Sequence, residues 1–197
     1  MPGTRTVSQS RKTRETDVTV TLNLDGQGQW HCDSGVPFLD HMLNLLSRHG
    51  FFDLKVRSRG DTEVDYHHLV EDTGLVLGEA FHQLLETRGA VARFGHSVIP
   101  MDDALGEAVV DVAERPYLVL EADFPQDRCG SFPMELVREF FLAFTNRARI
   151  NLHLLCRHGG NSHHMAEALF KAFGRALGAA YAPRPGGRDG MSTKGDL

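Results

Sequence analysis

Long apolar runs and an excess of basic charge are both missing from this 197-residue sequence. No apolar stretch approaches the roughly 20 residues that a membrane-spanning helix needs, and residues 1–15 lack the apolar segment of a secretory signal. The net charge of −5 disfavours nucleic acid or an anionic membrane surface as the main partner. We therefore expect a cytoplasmic protein with no nucleic-acid partner and no membrane partner.

Cysteine is also scarce. The three residues Cys32, Cys129 and Cys156 are odd in number, widely spaced and form no CxxC pair, which makes a disulfide framework improbable and fits a reducing compartment. Histidine, in contrast, is abundant, with 11 residues. Histidine is the commonest metal ligand and titrates near neutral pH, so composition alone leaves both uses open.

The motif HHxxE occurs twice, in "DYHHLVEDTG" and in "NSHHMAEALF". When the sequence is shifted by 96 positions, Pro37 aligns with Pro133, and no gap is needed between 37–83 and 133–179. The motif residues of the two copies then coincide: His67, His68 and Glu71 with His163, His164 and Glu167. Self-similarity at a fixed spacing indicates an internal duplication.

Hydrophobic periodicity predicts the same alternation of strands and helices in both halves. Strands are predicted at 16–26, 51–60, 106–114, 115–123 and 149–159, and helices at 37–49, 66–87, 133–147 and 162–181. Interleaved elements at short spacing indicate α+β layers in each half. We expect a first half at 1–92, a second half at 93–182 and a mobile Gly- and Pro-rich tail at 183–197.

On a helix, the two adjacent histidines of HHxxE point about 100° apart, whereas the glutamate lies one turn further on the same side. Each histidine can therefore reach a different ion, and two facing helices would supply four imidazoles and two carboxylates. Such a donor set suits Mn²⁺, Fe²⁺ or Zn²⁺. The alternative for each copy is a solvated helix face. His41, within an apolar helix, and His153, within an apolar strand, could be ligands or hydrogen-bonded core residues.

Several segments together resemble the imidazoleglycerol-phosphate dehydratase family, from about residue 14 to residue 195. They are "FLDHMLNLLSRHGFFDL", "DYHHLVEDTGLVLGEA", "RFG", "RPYLV", "NSHHMAEALFKAFGRAL" and "STKG". The length matches the form with a single function. The resemblance implies an internally duplicated α+β subunit with helices packed between mixed β-sheets. It also implies a homo-oligomer of 24 subunits, with shared active sites that hold two Mn²⁺ ions each.

The resemblance also implies a set of metal ligands, which adds His41 and His153 to the two motifs. The full set is His41, His67, His68, Glu71, His153, His163, His164 and Glu167. In the alignment at 96 positions, His41 faces Val137 and His153 faces Arg57, so the duplication is not symmetric there. Which ion each residue binds stays open.

The implied reaction removes water from D-erythro-imidazole-glycerol phosphate and gives imidazole-acetol phosphate, a step of L-histidine biosynthesis. The carbon-bound proton has no neighbouring carbonyl, so the substrate's own imidazole must accept the electrons. Metal ions on both ring nitrogens would favour the imidazolate, which could then expel the side-chain hydroxide.

Further roles follow from the resemblance. Glu15 corresponds to a glutamate that moves the carbon-bound proton, and His49 to a substrate-side histidine; their alternatives are a surface charge and a helix C-terminal cation. The implied phosphate site comprises Arg93, Arg115, Ser192, Thr193 and Lys194, where arginine offers bidentate recognition. The last three would form a lid that orders on substrate binding. Asp102 and Asp103 are weaker candidates for orienting the site.

Two other functions share some of these features. Di-iron bundles use Glu-x-x-His on long helices without interleaved strands, and metalloproteases use HExxH or HxxEH, neither of which occurs here. An oligomeric metal-storage protein would need no phosphate site, so the arginines and "STKG" argue against it.

Overall fold

The computed structural model describes residues 5–88 and 90–184 of the chain. The first half contains β1 (Thr6–Lys12), β2 (Thr16–Asn23), β3 (Trp30–Asp33), α1 (Pro37–Gly50), β4 (Asp53–Gly60) and α2 (His67–Arg88). The second half contains β5 (Phe94–Met101), β6 (Ala104–Asp111), β7 (Tyr117–Glu121), β8 (Arg128–Cys129), β9 (Phe132–Pro133), α3 (Leu136–Ala148), β10 (Asn151–His158) and α4 (Ser162–Ala180).

The two main sheets have the same topology. The first has the order β1-β2-β4-β3 and the second β5-β6-β10-β7, each with four strands. In both, the last pair is parallel and the other pairs are antiparallel. This correspondence confirms the predicted α+β fold with two similar halves and mixed sheets.

The helices fill the space between the two sheets. Alternate residues of the central strands are buried, such as Val18, Val20 and Leu22 on β2, because one face of each sheet packs on helices while the other is exposed. Helix α1 packs on α4 and α2 packs on α3, so each contact joins the two halves. No helix in the described residues is long and apolar enough to cross a membrane.

Glycines allow the helices to approach closely at both contacts. A Cβ added at Gly174 of α4 would lie 2.5 Å from the carbonyl oxygen of Leu46 on α1. A Cβ added at Gly78 of α2 would lie 2.5 Å from the carbonyl oxygen of Phe144 on α3. Both positions therefore exclude larger side chains while the backbones keep this separation.

The predicted helices agree with the structure within one to three residues. The helix expected at 133–147 begins at Leu136, because Pro133 instead belongs to the short strand β9. The strand expected at 16–26 ends at Asn23. Strands β1, β3, β5, β8 and β9 were not predicted. β1 is polar and largely exposed, β3, β8 and β9 are short, and β5 lies in the segment interpreted as the break between the halves.

The expectation of a gap-free repeat at 96 positions is wrong for part of the chain. Both α1 and α3 end in a residue with left-handed backbone, Phe51 (φ 58°) and Arg149 (φ 52°), which lie 98 positions apart. The buried residues of α1 and α3, and those of β4 and β10, also correspond at a spacing of 98 positions, for example Leu54 with Leu152. His67 and His163 keep the spacing of 96, so the loop before α2 is two residues longer than the loop before α4.

Candidate metal centre and active site

One cluster of potential metal ligands joins α1 and α4. His41 Nε2 lies 2.8 Å from Glu167 Oε1, and His163 Nε2 lies 3.0 Å from the same oxygen. The three ligand atoms all lie within 4.8 Å of one another, and this trio is the one such group found among the described residues. Two imidazoles and a carboxylate form a donor set that fits Mn²⁺, Fe²⁺ or Zn²⁺, so this cluster could hold a metal ion.

The charge of Glu167 fits this role. Its burial favours the neutral acid, but hydrogen bonds from Lys171, His41 and His163 outweigh that effect and lower the pKa of Glu167 to about 2. Lys171 Nζ lies 2.5 Å from Oε2, on the other carboxylate oxygen. Glu167 is therefore an ionised acceptor that three donors hold in place.

Local sequence explains the position of this cluster. Asn161 caps α4 by accepting a hydrogen bond from the backbone N–H of His163 at 2.9 Å, which sets the helix start just before the motif. Glu167 follows His163 by one turn. The close approach of α1 at Gly174 then brings His41 against the same face of α4.

A cavity of about 450 Å³ adjoins the cluster. His41 and His163 line it together with the aromatic rings of Phe38 and Phe132 and the thiol of Cys129. The Cys129 pKa is raised by burial, so this thiol stays protonated at neutral pH. A small ligand in this cavity could therefore contact the imidazoles of both His41 and His163.

The first copy of the motif is more open. His67 Nε2 lies 3.9 Å from Glu71 Oε2, and both side chains are nearly half exposed. Asp65 accepts a hydrogen bond from the backbone N–H of His67 at 2.7 Å, as Asn161 does for His163. This copy therefore has the same local geometry as the second, without a neighbouring third ligand among the described residues.

The second histidine of each motif is held through Nδ1 by an aspartate. His68 Nδ1 lies 3.1 Å from Asp61 Oδ2, and His164 Nδ1 lies 2.5 Å from Asp103 Oδ1. These hydrogen bonds raise the pKa of both imidazoles. An imidazole that donates from Nδ1 keeps its lone pair on Nε2, so Nε2 is the atom that each of these histidines can offer to a metal.

His153, Arg93 and Arg115 lie elsewhere, on the second sheet. His153 is exposed on β10, in a row with Val109 and Val119 of the neighbouring strands. Arg93 precedes β5 and binds Asp111 through Nε at 2.7 Å and Nη2 at 3.3 Å. Arg115 is exposed just before β7. All three lie toward the same end of this sheet.

The two predicted catalytic residues, His49 and Glu15, lie in different places, and the predicted tail residues are not described. His49 lies in the last turn of α1. Its pKa is lowered mainly by burial, and to a smaller extent by the positive charges of Lys171, Arg175 and Arg48. Glu15 lies between β1 and β2, with Oε2 3.9 Å from His68 Nδ1. Ser192, Thr193 and Lys194 lie outside the described residues, as does most of the predicted tail.

Sequence patterns missed two residues that contact predicted ligands. Lys171 follows Glu167 by four positions, so the helical spacing could have revealed it. Asp61 gave no comparable signal, because it contacts His68 from the loop that precedes α2. Asp103 was a weaker candidate, and its carboxylate contacts His164.

The fold and the paired motifs define the class as a duplicated α+β enzyme with a histidine–glutamate cluster that could hold a metal ion. A sequence model described as imidazoleglycerol-phosphate dehydratase matches residues 34–177, and the chain belongs to this family. Family membership makes the protein a hydro-lyase of histidine biosynthesis.

Individual relatives agree over nearly the whole chain. Imidazoleglycerol-phosphate dehydratase from Pelobacter propionicus is 52% identical over 194 residues, covering 98% of this chain and 100% of the relative. The enzyme from Gluconobacter oxydans is 49% identical and covers 95% of both. Among solved structures, the Staphylococcus aureus enzyme has a TM-score of 0.80 at 36% identity, covering 90% of this chain and 100% of that chain. The Pyrococcus furiosus enzyme has a TM-score of 0.83 at 33% identity, covering 95% and 99%.

Proposed function

We propose that the protein removes water from D-erythro-imidazole-glycerol phosphate to give imidazole-acetol phosphate, with two Mn²⁺ ions in each active site. The observation that carries this proposal is the repeated HHxxE motif at two helix starts, one copy of which already contacts a third ligand. Bound metal ions would act as Lewis acids toward the two nitrogens of the substrate's imidazole.

The proposed ligands remain the eight residues implied by the family. In this chain they occur as the trio His41, His163 and Glu167, the pair His67 and Glu71, the two aspartate-held histidines His68 and His164, and the exposed His153.

Glu15 and His49 are the proposed catalytic residues. Glu15 lies beside the first motif, 3.9 Å from the His68 ring, and is exposed, so its carboxylate can reach a substrate carbon held at the metals. His49 lies along α1 from His41, and its lowered pKa favours a neutral imidazole that can both donate and accept a proton.

Arg93 and Arg115, together with Ser192, Thr193 and Lys194, are proposed to bind the substrate phosphate. The Arg93 guanidinium is fixed by Asp111, and such pre-orientation reduces the entropy lost on binding. The three tail residues would close over the phosphate, with 183–197 acting as the lid.

We further propose that the active sites are shared between copies of the chain in a homo-oligomer, with the 24 subunits that the family resemblance implies. The support is the exposed position of His153, which shares the outer face of its sheet with the exposed apolar residues Val109 and Tyr117. We also propose the cytoplasm as its location, because all three cysteines are unpaired, and a boundary between the halves at 92/93.

The decisive experiment is a dehydration assay on metal-stripped protein before and after Mn²⁺ is restored. We expect no product without metal and full activity with it. If folded protein with restored Mn²⁺ makes no imidazole-acetol phosphate, the proposed reaction is wrong. If metal-stripped protein is fully active, the proposed role of Mn²⁺ is wrong.

A further inference from the structure

The aspartates that hold His68 and His164 come from places in the two halves that do not correspond. Asp103 directly precedes β6, the second strand of its hairpin. The residue that directly precedes the corresponding strand β2 is Glu15. The strand registers agree, since Val18 of β2 pairs with Ser58 of β4 as Gly106 of β6 pairs with Cys156 of β10, and Ser58 and Cys156 lie 98 positions apart. Duplication alone would therefore make Glu15 the partner of His68.

The structure assigns the partner differently in the first half. Glu15 Oε2 lies 3.9 Å from His68 Nδ1, whereas both oxygens of Asp61 lie closer, at 3.1 and 3.3 Å. Asp61 belongs to the loop between β4 and α2, the loop that is two residues longer than its counterpart. A carboxylate from this loop has thus taken the place that a hairpin carboxylate has in the second half.

Backbone contacts hold Asp61 in this position. Its N–H donates to the carbonyl oxygen of Glu15 at 3.1 Å, and its carbonyl oxygen accepts from Val64 N at 2.8 Å in a turn. The Asp61 side chain is 23% exposed, compared with 57% for Glu15. Asp61 is therefore the more fixed carboxylate, and Glu15 the more accessible one.

We propose that Asp61 is a positioning residue, which holds His68 with Nε2 available to a metal and so leaves the Glu15 carboxylate to act on the substrate. This inference rests on the proposed function. It explains why the two hairpin carboxylates differ. Asp103 orients His164, whereas Glu15 is exposed because Asp61 makes the corresponding contact with His68. Carboxylates that hold ligating histidines typically contribute about 10–100-fold to metal affinity.

The experiment compares Asp61→Ala, Asp61→Leu, Asp61→Asn and Glu15→Gln in the full-length chain, with Glu63→Gln as a control for loss of a nearby exposed carboxylate. Mn²⁺ affinity is measured by calorimetry on metal-stripped protein, and dehydratase activity is measured at saturating Mn²⁺. We expect Asp61→Ala to weaken Mn²⁺ binding by about 10–100-fold and Asp61→Asn to weaken it less, because its amide oxygen still accepts from Nδ1. Glu15→Gln should lose activity with unchanged affinity.

The outcomes separate this inference from the proposed function. Unchanged Mn²⁺ affinity in Asp61→Ala overturns the role of Asp61, and weakened affinity in Glu15→Gln shows that Glu15 holds His68 instead. If Asp61→Ala fails to fold, Asp61→Leu decides, because it fills the space of the side chain but offers Nδ1 no acceptor, and wild-type affinity in that variant rejects the inference. A wild-type protein without Mn²⁺ binding or dehydratase activity would reject the proposed function itself.

Discussion

At the residue scale, the candidate cluster combines a contact within one helix with a contact between two helices. His163 and Glu167 follow from helical spacing, and the structure places them together with His41. The pairing of His41 with them could not be derived from periodicity, because it depends on how α1 packs on α4. Asp61 could not be predicted from periodicity either, because it lies in a loop and its contact with His68 depends on how that loop folds.

Glu167→Gln tests the metal cluster directly. The substitution keeps the size of the side chain but removes the charge that Lys171, His41 and His163 stabilise. We expect metal affinity to fall by more than about 100-fold, because loss of a proposed ligand should weaken binding more than loss of a residue that only hydrogen-bonds a ligand. Metal content after dialysis checks this, with the exposed Glu121→Gln as the control. Wild-type metal content in Glu167→Gln would remove Glu167 from the site.

Asp53 gives a pH dependence of stability at a site remote from the metal ligands. Its partial burial opposes ionisation, but hydrogen bonds from Gln29 N, Gln27 N and Asn23 outweigh it and lower the Asp53 pKa. The stability it contributes is present above the ordinary carboxyl pKa and is lost as pH falls through the lowered one. Asp53→Asn should therefore cost about 1 kcal/mol at neutral pH, and this cost should fall as the pH is lowered below the ordinary carboxyl pKa. Urea unfolding at both pH values checks this, with exposed Asp123→Asn as the control.

At the element scale, helices were predicted better than strands. The helices carry a clear apolar stripe, whereas β1 is an edge strand with mostly exposed polar residues and gives no alternation to detect. The change in the repeat spacing from 96 to 98 positions was not predicted either, because few identical residues mark the repeat outside α2 and α4. A two-residue difference is tolerated there because it falls in the loop between β4 and α2, outside the helices and strands that form the core.

The glycines at the helix contacts provide a matched pair of variants. Gly174→Ala would push α1 away from α4, because its Cβ meets the Leu46 carbonyl at 2.5 Å, and Gly78→Ala would separate α2 from α3 at the same distance. Each should destabilise the fold by about 1–3 kcal/mol. We expect weaker metal binding at the cluster in Gly174→Ala alone, as measured by calorimetry. Unchanged metal binding in Gly174→Ala would show that the cluster does not depend on the α1–α4 contact, and equal losses in both variants would show that the loss comes from general destabilisation.

At the scale of the whole molecule, duplication explains why both motifs and both sheets recur, and the sequence revealed it through the HHxxE pair. The sequence could not place His153 relative to the cluster, because an exposed residue on a sheet has no partner within its own half. The proposed sharing of sites between copies accounts for that position.

Mixing inactive variants tests this sharing. His153→Ala and His163→Ala should each be inactive as pure proteins. If a site takes these residues from different copies, co-assembled mixtures contain some sites with both residues intact and regain part of the activity. Activity of the co-expressed mixture is compared with that of the pure variants, and His67→Ala with Glu71→Ala, which share one helix turn, serves as the control. No recovery in the first mixture would place His153 and His163 in the same copy's site.

The corrected alignment of the halves also has an evolutionary consequence. At a spacing of 98, the counterpart of His41 is Glu139 and that of His153 is Lys55, so neither histidine has an equivalent in the other half. A half-length ancestor that paired with itself would have carried symmetric HHxxE motifs but could not have carried His41 and His153 in one half alone. In a single fused chain that symmetry constraint is absent, so each half can carry a proposed ligand that the other lacks.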